Sequence, residues 1–249
     1  MVFESRRSLL IRKLLHSIFS LLLLVPLTEW FREGVSIAIP DADPDRVVLA
    51  IYASLTLGAA FINSIQIRIP NFRKYFIARV VEWRRRFIQM LSEQIRIEPV
   101  SKYLVELDKV VTRLEESLDN VLDAVERDYE KRYGYVCITF ALLSVSLSYA
   151  LLGIYTAYGI IALAVVDSVS AVVTALAPRP RLGKHSVPSI IATYTIFTAL
   201  LYTITRNLGL SLSLSLVAIV VELLSPEDNL TLPIIVSFIA WILRAPAIL

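Results

Sequence analysis

Cysteine is almost absent from this chain. The single one, Cys137, lies inside an apolar run, which excludes a disulfide framework. Glycine is scarce too, with seven in 249 residues, and none of them builds a P-loop or a glycine-rich kinase loop. A soluble-kinase nucleotide fold is thereby excluded. Acidic side chains thin out in the C-terminal half, where residues 135–249 hold only Asp167, Glu222, Glu227 and Asp228. What the chain has instead is apolarity: 56% hydrophobic residues and a mean hydropathy of +0.66, outside the range of an ordinary soluble domain.

A helix needs roughly 18–20 uncharged, mostly apolar residues to cross a hydrocarbon core about 30 Å thick. The apolar runs are Leu14 to Leu27, Val47 to Ile67, Tyr135 to Leu152, Ile154 to Ala177, Ser186 to Thr205, Leu208 to Leu224 and Leu230 to Leu243. They predict an all-α integral membrane protein with about seven transmembrane helices. Arg6, Arg7, Arg12 and Lys13 precede the first run as they would in a secretory signal, but no small-x-small cleavage site follows, so it reads as a retained helix. Basic residues crowd before the first run, between Arg68 and Arg132, and from Arg179 to Lys184, whereas Thr28 to Asp45 is acidic. By the positive-inside rule the N-terminus and the 68–134 segment are cytoplasmic, and the membrane is expected to be the cell membrane.

Three parts follow: 1–67, a basic segment with two spans; 68–134, a charged insertion; and 135–249, a five-helix membrane domain. The insertion carries 14 basic and 12 acidic residues, too many for a span, between Arg68 and Arg132. Its apolar residues repeat in steps of three and four: Phe76, Val80, Trp83, Phe87 and Met90, then Leu104, Leu107, Val111, Leu114, Leu118, Val121 and Val125. Two heptad seams separated by Pro99 predict a helical hairpin whose seams pack on each other. The alternative is a homodimer through the 99–131 helix. The run Arg84 to Arg86 also suits anionic lipid headgroups.

A carboxylate at membrane depth costs about 2.5–3.5 kcal/mol even on the lenient insertion scale, so Asp167 and Glu222 are candidate functional residues. The expected topology brings them to one side with Asp228, Asn229 and the loop of Arg179, Arg181 and Lys184. Oxygen ligands of this kind suit Mg²⁺, and the cations suit phosphate oxygens. Phosphoryl transfer needs such a set, because the protein's work there is positioning and charge stabilisation. Each element also has a plain structural role open to it: a paired Asp, a topology signal, a helix N-cap.

The segment Val221 to Pro233, reading Glu222, a short loop, then Asp228-Asn229-Leu230-Thr231 and Pro233, resembles the polyprenol kinase family, which contains dolichol kinase and plant phytol kinase. Asp167-Ser168-Val169-Ser170-Ala171, the basic stretch after it and Lys184-His185-Ser186-Val187 are similar to the family's second motif. Arg12-Lys13, with His16 one turn later, resembles its opening. The family's glycine before the aspartate is Val166 here, and its Glu-Gly after the second motif is replaced by Pro188 and Ser189.

The resemblance implies transfer of a phosphoryl group from CTP to a long isoprenoid alcohol. Asp167, Glu222 and Asp228 would hold Mg²⁺, with Asn229 orienting a metal-bound water or the nucleotide. Arg179, Arg181, Lys184 and Ser186 would meet the nucleotide phosphates, with Arg12, Lys13 and His16 accessory. The expected partners are the lipid and the nucleotide, with no nucleic acid. The alternatives are a CTP-dependent lipid cytidylyltransferase and a non-catalytic membrane scaffold acting through the hairpin.

Overall fold

The computed structural model describes residues 6–69, 72–94, 98–125 and 134–248. It is helical almost throughout. The helices are α1 (Arg6–Leu22), α2 (Glu29–Ala38), α3 (Pro44–Arg68), α4 (Phe72–Gln94), α5 (Glu98–Val125), α6 (Val136–Leu152), α7 (Thr156–Leu176), α8 (Val187–Thr205), α9 (Leu208–Leu224) and α10 (Asp228–Ile242). A two-stranded antiparallel ribbon, β1 (Arg181–Leu182) and β2 (His185–Ser186), joins α7 to α8. The chain divides into two compact units: Met1–Phe61 with Val136–Leu249, and Ile62–Tyr135.

In the first unit α7 is the central helix. Apart from Asp167 and a few hydroxyl side chains its sequence is apolar on every face, as suits a helix enclosed by others. Tyr158, Ile161, Ala162 and Val166 join Phe197, Leu201, Leu214, Ala218, Leu232 and Val236 of α8, α9 and α10 in one core. A second core sets Ala157 and Ile160 against Val48 and Tyr52 of α3 and Val145 and Tyr149 of α6. Gly159 brings α7 and α10 into close approach, since a Cβ there would collide with Pro233 O and Ser237 Oγ.

Helix directions follow from contacts along α10. Asp167 of α7 lies near Asp228 at its start, Gly159 near Pro233 and Ser237, and Tyr158 Oη donates to Pro246 O at 2.8 Å. Hence α7 and α10 are antiparallel. Ser144 Oγ of α6 donates to Leu230 O at 2.6 Å, and α6 ends where α7 begins, so α6 runs parallel to α10. The reversal between α6 and α7 takes a single 3₁₀ turn, Gly153–Tyr155, with Gly153 at φ +59°. A side chain is strained in that left-handed backbone region and glycine is not.

The bundle wears its apolar side chains outward. On α9, Leu208, Leu212, Leu216, Val220 and Leu224 form an exposed row, while Ser211 and Ser215 are fully buried. Ser144, Ser148, Thr193 and Ser237 repeat the pattern on neighbouring helices. Small polar residues between helices and bulky apolar ones outside is the arrangement of helices packed in lipid, where burying Leu gains nothing and small side chains let backbones approach.

Four stretches among the described residues are long and apolar enough to cross a membrane, Ser8–Leu27, Pro44–Arg68, Val136–Leu176 and Val187–Thr205, rather than the seven expected. The physical reasons for the shortfall are specific. Val136–Leu176 contains both α6 and α7, and α9 and α10 have only 17 and 15 residues. The acidic segment expected to be a plain connection instead carries α2.

The second unit holds the hairpin of α4 and α5. Arg84 joins them, reaching Asp108 at 2.8 Å, Glu115 at 2.7 Å and Thr112 Oγ1 at 3.2 Å. The expected seam is displaced on α4, and on α5 Leu107 and Leu114 depart from it while Val111 keeps it. On α4 the inward positions are Ile77, Val81, Arg84 and Ile88, one residue later than the expected row, which is exposed. On α5 the inward positions include Asp108, Val111, Thr112 and Glu115, while Leu107 and Leu114 are exposed. The Arg84 network, which cannot form with Arg84 turned to water, sets this rotation. The side chains of Leu104, Leu118, Val121 and Val125 lie outside the described ones.

Candidate functional site

One end of the first unit gathers charge. Asp167 comes from the last turns of α7, Glu222 from the last turn of α9 and Asp228 from the first turn of α10. One carboxylate oxygen from each lies within 4.8 Å of the others. At that separation and an effective dielectric of about 20, each pair of like charges repels by roughly 3–4 kcal/mol, so cations must be near.

Four basic side chains answer that repulsion. Lys13 of α1 places Nζ 2.6 and 2.7 Å from the two oxygens of Asp167, and His16, one turn on, lies 3.2 Å from Oδ2. Helix α1 is held in that register by Ser17, whose hydroxyl donates to Ala164 O at 2.8 Å and lies 2.7 Å from Ser168 Oγ. Lys184, in the turn between β1 and β2, donates to Asp228 Oδ2 at 2.7 Å and lies 3.8 Å from Glu222. Burial works against the Lys184 charge, but the Asp228 hydrogen bond and the charges of Glu222 and Asp228 outweigh it and hold the ammonium above its ordinary pKa. His185 Nε2 meets Glu222 Oε1 at 3.0 Å, and Ser170 Oγ donates toward the same oxygen at 3.3 Å.

The set fits a cation. Three carboxylates face two ammoniums, Lys13 and Lys184. Glu222 is almost fully buried, and its Oε2 has no hydrogen-bond partner among the described residues. The Oδ1 of Asn229 is likewise buried without one. All of these are hard oxygen donors, the kind Mg²⁺ prefers.

Not every expected site residue meets the cluster. The Nδ2 of Asn229 donates to Glu227 Oε1 at 3.1 Å. Ser186 is the N-cap of α8, accepting from Ser189 N at 3.3 Å. Arg179, before the ribbon, and Arg181, on its first strand, are exposed, and Arg181 Nε donates to Pro178 O at 3.3 Å. Lys13 and His16, expected as accessory, sit directly on Asp167.

Two members, Ser170 and His185, stand within the second motif and were given no role there. Ser170 lies three residues beyond Asp167, so helical spacing puts it on the same face, and that signal was available. His185 is placed by the tight ribbon turn at Gly183, whose φ is +61°; its motif marks the segment but not the pairing with Glu222. No protein-family model, curated protein or solved structure matches the chain.

Proposed function

We propose that the chain is an integral membrane phosphotransferase that moves the terminal phosphoryl group of CTP to the hydroxyl of a long isoprenoid alcohol. The observation that carries this reading is convergence. The three segments that resemble the polyprenol kinase family begin at Arg12, Asp167 and Val221, far apart in sequence, and they supply one charged cluster.

Asp167, Glu222 and Asp228 would hold Mg²⁺, which when bound neutralises phosphate oxygens. Lys13 and Lys184 are the ammoniums nearest the carboxylates, and the exposed Arg179 and Arg181 add charge for the nucleotide. In the transfer the alcohol oxygen attacks the terminal phosphorus, the bond to the bridging oxygen breaks and CDP leaves. Asp167, beside His16, accepts the hydroxyl proton. The lipid tail stays among the outward apolar side chains while its hydroxyl reaches the cluster.

Seven membrane passes fit this reading. The alternating directions of α6, α7 and α10 support it, since a short helix still crosses where the bilayer thins. The positive-inside rule then puts the carboxylate end in the cytoplasm.

The test is purified protein in detergent with Mg²⁺, CTP labelled in the terminal phosphate and a panel of polyprenols, beside Asp228→Asn. Label entering the organic phase with the unmodified chain and at least 100-fold less with the variant is the expected result. Pyrophosphate release in place of CDP would move the reading to a cytidylyltransferase. Absence of both products from folded protein would overturn the enzymatic reading.

A further inference from the structure

The hairpin of α4 and α5 leaves one flank uncovered. Phe76, Val80, Trp83, Phe87 and Met90 form an exposed apolar row on α4, with Trp83 70% exposed and its ring stacked on Phe87 at 5.7 Å. Tyr103, Leu107, Val110 and Leu114 form a second row on α5 at steps of four, three and four.

Both rows face the same way. Arg84 lies ten residues before the end of α4, and its partner Asp108 lies ten residues after the start of α5, so the helices are antiparallel. On α4 the exposed row precedes the inward row by one residue, 76 before 77, 80 before 81, 83 before 84 and 87 before 88. On α5, 107 precedes 108 and 114 precedes 115. One residue is a turn of about 100°. The same turn taken on antiparallel helices rotates in opposite senses in space, which brings both rows to one side of the hairpin.

The flank is large. Four of its side chains are aromatic, each worth roughly 150–250 Å² when fully buried. With these 43–72% exposed and five aliphatic neighbours, the apolar area is of the order of the roughly 800 Å² per partner of a stable protein interface. Soluble surfaces rarely leave that much apolar area contiguous.

Charge identifies the occupant. Helix α4 carries six basic and two acidic residues, and α5 three basic and seven acidic, leaving +4 and −4. We propose that the flank is the interface of a homodimer in which two hairpins pack flank to flank about a two-fold axis parallel to the helices, each α4 lying against α5 of the second copy.

A two-fold axis perpendicular to the helices would instead stack α4 on α4, opposing like charges. The parallel axis makes every neighbour in the four-helix bundle antiparallel and oppositely charged. It also replaces an interface through the α5 seam alone with one built from both helices. The dimer requires none of the chemistry proposed for the carboxylate cluster.

The experiment uses the full chain in detergent with Cys137→Ser as background. Chains carrying Trp83→Cys and chains carrying Leu114→Cys are co-expressed and treated with a short bismaleimide. The expected result is a cross-linked dimer from the mixture and none from Trp83→Cys alone. Light scattering, with detergent mass subtracted, should give twice the 28.0 kDa chain mass. Trp83→Glu with Leu107→Glu should leave monomer at concentrations at least 100-fold above those at which the unmodified chain is dimeric, with unchanged helix content.

Three results would overturn the proposal. One is a monomer at every concentration, including a monomer whose Trp83 fluorescence is quenched by brominated lipid in a chain keeping only that tryptophan. Another is Trp83→Cys linking to itself without mixed product. The last is a dimer that survives both glutamates.

Discussion

Lys13 and Asp167 form an enclosed ion pair, with side chains 11% and 9% exposed. Removing one partner of such a pair strands a charge away from water, which costs about 3–5 kcal/mol. Lys13→Met should therefore lower stability by about that amount in a thermal or denaturant unfolding series. Adding Asp167→Asn to the same chain should recover most of the loss, because the stranded charge is gone. Equal destabilisation by single and double variants would mean that Lys13 acts through packing alone. Mg²⁺ supplies a second check, since it should stabilise Lys13→Met more than the unmodified chain if Asp167 is one of its ligands. At this scale the sequence was readable where chemistry conflicts with surroundings: Asp167 and Glu222 stand out because a carboxylate in an apolar helix is costly. The pairing of His185 with Glu222 was not readable, because it depends on how the 181–186 ribbon folds back.

Gly159 shows how an element can position a site remote from it. It lets α7 and α10 approach until a Cβ would meet Pro233 O, and the same two helices carry Asp167 and Asp228. Gly159→Val should cost about 1–3 kcal/mol through overpacking. By forcing α10 away it should also weaken divalent-cation binding at least tenfold, measured by calorimetry on folded protein. Gly34→Val, at a position with nothing within 4 Å of an added Cβ, serves as the control and should leave binding unchanged. The helices themselves were legible from apolar run length, except that α2 lies in the Thr28 to Asp45 stretch, where only its acidic residues stood out. The hairpin was legible as two helices, but its rotation was not. Heptad spacing names an apolar row without saying what faces it: Arg84, reaching two carboxylates on α5, takes the inward place on α4, whose apolar row is exposed, and on α5 Leu107 and Leu114 are exposed while Val111 stays inward.

Three different helices supply the carboxylates, so a bound cation would tie α7, α9 and α10 together and stabilise the first unit as a whole. Its effect on unfolding is set by mass action, about 2.7 kcal/mol at a free concentration 100 times the dissociation constant. Magnesium titrated into chelator-treated protein should therefore raise Tm with the logarithm of its concentration, and EDTA should reverse the rise. Asp228→Asn should abolish the Mg²⁺ shift, yet its own Tm in EDTA should remain within a few degrees of the parent. Asp228 is 21% exposed, and its loss leaves Lys184, 37% exposed, able to reach water, so no charge is stranded. Calcium discriminates further, because it takes six to eight oxygens in flexible geometry and Mg²⁺ keeps several waters with one or two carboxylates. A site built from three carboxylates, two of them crowded by Lys13 and Lys184, should favour Mg²⁺ by at least tenfold. A Tm that ignores both ions at millimolar concentration would leave the cluster as a structural network of ion pairs, with Lys13 and Lys184 already filling the role assigned to the metal.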